Sequence, residues 1–208
     1  MQRQLELPIP QRGGRREGAG RKPQGPRALV SHAERPRFAK PTPAHVTLRM
    51  RDQVWNLRSR RSFQHLKSCF EKSRGRFGAR LIEFSVQGNH LHLIIEADDN
   101  ASLSRALQGL CIRIAKSLNA MMRRAGAVFA DHYHSRLLQT PTELVNAIRY
   151  LLGNAAHHFA ERGADPFSSV ALPAESREGL LARGVGWLVR MGWRRAAGAG
   201  GIDLHCGV

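Results

Sequence analysis

Hydrophobic and polar positions fall into a readable alternation from residue 44 onward. His45-Val46-Thr47-Leu48-Arg49-Met50 alternates and predicts a first strand. Phe63, Leu66 and Phe70 then recur every three or four residues and predict a helix over 61–72. Between 79 and 87 the period returns to two, which places Ile82, Phe84 and Val86 on one face of a strand and Glu83, Ser85 and Gln87 on the other. Gly88-Asn89 is a tight-turn signal, so 90–96 is expected to pair back as a hairpin. Asp98-Asp99-Asn100 offers N-cap oxygens to a long helix over 101–124 with the stripe Leu103, Leu107, Leu110, Ile114, Leu118 and Met121. A further strand is expected around 133–139. Thr140-Pro141-Thr142-Glu143 is a capping box with proline at the first helical position, opening a helix that runs to about Phe159. The order strand, helix, strand, strand, helix, strand, helix predicts an α+β fold, an antiparallel sheet with helices packed on one face.

Composition narrows the function classes. Across 208 residues, 33 Lys and Arg stand against 16 Asp and Glu, a formal charge of +17. Residues 1–40 hold ten of the basic and three of the acidic residues, five of the ten prolines and a Gly/Arg-rich stretch, and they lack apolar periodicity. They read as a flexible basic arm, ahead of a folded domain over 41–165 and a C-terminal extension over 166–208. The 42% hydrophobic content suffices for a core and excludes a wholly disordered protein. No apolar run approaches the roughly 18 residues of a membrane span, and the start of the chain carries no signal-peptide hydrophobic region. Cys69, Cys111 and Cys206 are too few and wrongly spaced for a disulfide framework or a zinc finger, which predicts a reducing, cytoplasmic setting. So basic a chain without a membrane-binding helix points to nucleic acid, and hence to a nucleoid-associated location.

Two constellations carry candidate chemistry. His90 and His92 are two apart in a strand, so both imidazoles leave the same face, the spacing of two ligands on one metal. Taken alone, the pair reads more readily as a polar strand surface. Tyr150 falls about 150° from the centre of the apolar stripe of its helix at 100° per residue. Asn154 follows one turn on. Alone, this tyrosine also reads as one lying partly exposed at a surface. His132 and His134 form a second alternating pair and a rival metal site, with no i+4 partner comparable to Asn154.

Together, and in this order, these residues resemble the HUH single-tyrosine transposases, and among them the REP-associated tyrosine transposases of the insertion-sequence-200 type. The resemblance rests on His45-Val46-Thr47, His90-Leu91-His92, Tyr133-His134-Ser135-Arg136-Leu137-Leu138 and Tyr150-Leu151-Leu152-Gly153-Asn154, and it covers about residues 41–165. Gly88 and Ala155 stand where the family commonly has proline. The resemblance implies a ferredoxin-like antiparallel sheet of the HUH endonuclease/transposase fold. It implies cleavage and rejoining of single-stranded DNA through a 5′-phosphotyrosine on Tyr150. Magnesium or manganese would be held by His90, His92 and Asn154, and the DNA would form hairpins from palindromic repeats. What deprotonates Tyr150 is not evident from sequence; His157, at a neighbouring angular position, is a candidate. Arg105, Arg113 and Lys116 on the long helix, with Arg15, Arg16, Arg21 and Lys22 in the arm, are candidate DNA contacts. Monomers and homodimers both fit. Two other classes compete: a catalytically silent nucleic-acid-binding module on the same fold, and a metal hydrolase using water.

Overall fold

The computed structural model describes residues 36–159 and 164–197, with side chains on the last long helix described through Gly153. The elements are β1 (Thr42–Arg49), α1 (Arg60–Glu71), β2 (Ala79–Val86), β3 (His90–Ala97), α2 (Asn100–Met121), β4 (His134–Leu137), α3 (Pro141–Phe159), α4 (Ala174–Leu180) and α5 (Arg194–Ala197). The four strands form one antiparallel sheet in the order β2-β3-β1-β4. This is the expected α+β class.

The period of two in β1 and β3 divides the sheet into two faces. Ala44, Val46 and Leu48 on β1 and Leu91, Leu93 and Ile95 on β3 are buried with Leu66 and Phe70 of α1 and Leu107, Leu110 and Ile114 of α2. The stripe expected for α2 is buried throughout. The opposite face carries Ile94 of β3, which joins Ile82 of β2 in a second core with Leu144, Val145, Ile148 and Leu151 of α3. The α1–α2 layer therefore covers one face and α3 seats on the other, so the helices do not all pack on one face as the element order suggested: Ile82 and Ile94 give the second face an apolar patch for α3 to bury.

Ile82 departs from the expected alternation. Leu81 pairs with Ile95 and Glu83 with Ile94, so a bulge inserts Ile82 as an extra residue. Phe84 and Val86 point to the α1–α2 core, whereas Ile82 points to the α3 core. The extra residue moves one apolar side chain across the sheet and gives α3 something to bury against.

Helix starts follow local side-chain chemistry. The Ser59 hydroxyl accepts from Ser62 N at 3.1 Å, and Asp99 Oδ1 from Ser102 N at 2.7 Å. The capping box at α3 forms in both directions: Thr140 Oγ1 accepts from Glu143 N at 3.2 Å, and Glu143 Oε2 accepts from Thr140 N at 3.1 Å and Gln139 N at 2.8 Å.

The segment after α3 is built into the molecule. Asp165 pairs with Arg58 at 2.9 Å, both nearly fully buried. Val86 N donates to Phe167 O at 2.9 Å, and Ala182 N donates to Leu81 O at 2.8 Å, so this segment covers the outer edge of β2. Leu188, Val189 and Trp193 then close the α3 core from the far side. Among the described residues no helix is long and apolar enough to cross a membrane.

Candidate active site

The face shared with α3 also carries a row of imidazoles. On β3 the residues between the apolar ones of the first core are His90, His92 and Ile94; on β1 they are His45 and Thr47. Thr47 lies directly opposite His92, and His45 lies opposite Ile94, one diagonal step from His92. His45 Nε2 and His92 Nδ1 are 3.1 Å apart, and Thr47 Oγ1 is 3.3 Å from the same Nδ1. The His90 and His92 rings meet edge to face, with centroids 4.8 Å apart, and His90 Nδ1 lies 2.9 Å from Asn89 Oδ1. His92 is 4% exposed, so its ring is held by its surroundings.

α3 completes the group. Its stripe is taken up by Ile82, Ile94 and the 188–193 segment. The flank carrying Tyr150 reaches the imidazole row, with the phenol ring edge-on to His92 at 5.5 Å and to His45 at 5.9 Å. Tyr150 remains 53% exposed, so the ring is positioned from below and open to a ligand from above. β4 brings His134 and the Arg136 guanidinium to the same face, because His134 pairs with Thr47 and Arg136 with His45. Burial, and then the neighbouring His134 and Arg136, hold the His45 imidazolium pKa below its ordinary value. That direction favours the neutral ring, which suits one sharing a hydrogen bond with His92.

The donor set fits a divalent cation in part. With Nδ1 of both His90 and His92 turned to a protein partner, Nε2 is the nitrogen each ring would present to a metal. Among the described residues no cluster of three or more His, Cys, Asp or Glu side chains could hold one. Further ligands would have to be amide or substrate oxygens, which magnesium and manganese accept.

Of the residues singled out from sequence, the fold brings together His90, His92 and Tyr150. Asn154 lies one turn beyond Tyr150 on α3, and its side chain, like that of His157, lies outside the described part. Arg105 and Lys116 are exposed and Arg113 half-buried on α2, across the sheet from Tyr150. Arg15, Arg16, Arg21 and Lys22 lie outside the described residues. His132 precedes β4, which begins at His134, so the two do not share a strand. The second tyrosine is elsewhere: Tyr133 lies against the α1–α2 core, its hydroxyl 3.3 Å from Ser104 Oγ. His45 and Thr47 take a place at the site that sequence did not assign them. The signal was the pairing of β1 with β3, which a single strand does not reveal.

The chain thus forms an antiparallel sheet of four strands with helices on both faces, one of which lays Tyr150 over paired histidines. A solved REP-associated tyrosine transposase bound to a REP hairpin shares this fold, with a TM-score of 0.56 and 15% identity over 68% of this chain and 84% of that one. The chain belongs to the IS200-like transposase family, whose model matches residues 43–151. A crystal structure of a protein described as a transposase, from Deinococcus radiodurans R1, also matches, with a TM-score of 0.40 and 13% identity over 61% of this chain and 97% of that one. No curated protein matches the chain in sequence.

Proposed function

We propose that this IS200-like transposase cleaves and rejoins single-stranded DNA through a covalent bond between Tyr150 and a 5′ phosphate. The observation that carries this is the exposed Tyr150 phenol set against His92 and His45 within one chain. Tyr150 Oη attacks the scissile phosphorus as the phenolic proton leaves. The bond to the 3′ oxygen breaks, and that oxygen takes up a proton to become a free hydroxyl. Attack by a 3′ hydroxyl on the phosphotyrosine reverses the step and joins a new strand.

A phenol with a pKa of about 10 is a poor nucleophile at neutral pH, so positioning and charge must do much of the work. His90, His92 and Asn154 would hold a magnesium or manganese ion, which when bound supplies Lewis-acid neutralisation of the phosphate's non-bridging oxygens. His45 and Thr47 hold the His92 ring by Nδ1, which leaves Nε2 as the nitrogen it would offer such an ion. Arg136 adds a positive charge on the β4 side.

The natural ligand on this reading is a hairpin-forming repeat, because the solved relative of the same fold is bound to a REP hairpin. The net charge of +17 supplies sequence-independent attraction to the strand. The test is a denaturing gel of the protein with labelled single-stranded hairpins and manganese. A metal-dependent adduct that survives denaturant, and is lost in Tyr150→Phe and His92→Ala, is expected. Cleavage that persists in Tyr150→Phe without an adduct would replace this reading with a water-using hydrolase.

A further inference from the structure

A cavity of about 620 Å³ lies between the start of β1 and the segment after α4, lined by Arg37, Lys40, Pro43, Gln139, Trp187 and Leu188 among others. The chemistry above does not use it. Its most unusual member is Trp187, 53% exposed, although a tryptophan gains most by leaving water.

The backbone around this indole is closely constrained. Glu96, fully buried on β3, accepts from Val185 N at 2.7 Å and Gly186 N at 2.9 Å and is pinned by Arg80 Nε at 2.8 Å. The loop entering Trp187 is thereby tied to the sheet. At Gly186 a Cβ would stand 2.7 Å from Glu96 Oε1 and 2.8 Å from the Pro41 carbonyl oxygen, so a side chain there would push the loop off Pro41. At Gly192 a Cβ would meet the indole at 2.7 Å, so the ring rests close against that helical turn. The Arg195 guanidinium lies 5.1 Å from the ring centroid. A rigid, exposed aromatic surface thus stands among Arg37, Lys40 and Arg195, and no carboxylate is among the described lining residues.

The cavity also lies in line with the site. Pro43 alternates with the core residues of β1 exactly as His45 does, so both share a face and stand about 7 Å apart along the strand. We infer that this cavity is a subsite for an unpaired base of the DNA strand, the base stacking on Trp187 and the flanking phosphates meeting Arg37, Lys40 and Arg195. The inference rests on the single-stranded DNA reading above. It adds where a base next to the reacting position is held.

The test is a fluorescence-anisotropy titration with a labelled oligothymidine strand, and with the same strand made abasic, in the full chain carrying Tyr150→Phe. Stacking tolerates any base, so thymidine serves as probe. Adding Trp187→Ala is expected to weaken oligothymidine binding roughly 5- to 150-fold, the range that one stacked base carries, whereas Trp187→Phe keeps most of it. The abasic strand is expected to bind weakly and to ignore the substitution. If Trp187→Ala lowers the melting temperature, Lys40→Gln and the abasic strand carry the test instead, each expected to weaken binding. A parent that binds oligothymidine but is indifferent to Trp187→Ala, Lys40→Gln and base removal overturns the subsite alone. A parent that binds no single strand overturns the DNA-strand reading as well.

Discussion

His92 can serve a metal only if its ring is turned the right way, and His45 and Thr47 hold its Nδ1 on the sheet side. Removing such a partner typically weakens metal binding 10- to 100-fold. His45→Ala is therefore expected to lower manganese affinity by at least about tenfold in calorimetry, a readout that does not depend on DNA cleavage. Unchanged affinity would show that Thr47 alone suffices. At this scale the sequence was informative where one element decides the geometry. The period of two put His90 and His92 on one face, and the helical angle separated Tyr150 from its apolar stripe. His45 escaped because its nearness to His92 comes from a diagonal across two strands 47 positions apart.

Among the elements, α3 matters most, since it carries Tyr150. Its start depends on the reciprocal bonds of Thr140 and Glu143, and losing such a cap costs about 1 kcal/mol. Thr140→Ala is expected to lose about that much stability in urea unfolding. Glu143 is held below the usual carboxylate pKa by the Gln139 N–H first, against the opposing cost of burial, with Arg136 and the Thr140 N–H adding to the lowering. A depressed carboxylate stabilises the fold fully above its unfolded pKa, and that contribution disappears as pH falls through its folded value. The stability gap between wild type and Glu143→Ala is thus expected to be widest near neutrality and to narrow on acidification below pH 4.5. A gap independent of pH would contradict this. The capping box was legible because four adjacent residues contain it. The bulge at Ile82 was not, because 82–87 alternates without a break and the extra residue appears only in the pairing with β3. Nor was the role of 165–193, whose residues bond to the β2 edge and the α3 core without a period of their own.

For the whole molecule, the decisive feature is that Tyr150 meets His92 within one chain. Monomers and homodimers both fit the sequence, and α3 packs on Ile82 and Ile94 of its own sheet. Mixing Tyr150→Phe with His92→Ala is then expected to leave both inactive in the adduct assay. Recovery of a substantial fraction of the adduct would mean that the tyrosine acts in trans. The central claim is that Tyr150 itself becomes bonded to DNA, and mass spectrometry of the trypsin-digested adduct tests it most directly. Cleavage after Arg149 and Arg162 releases 150–162, a peptide with a single tyrosine. The account predicts that this peptide carries the nucleotide on Tyr150. A nucleotide found on the peptide containing Tyr133, or on none, would contradict it.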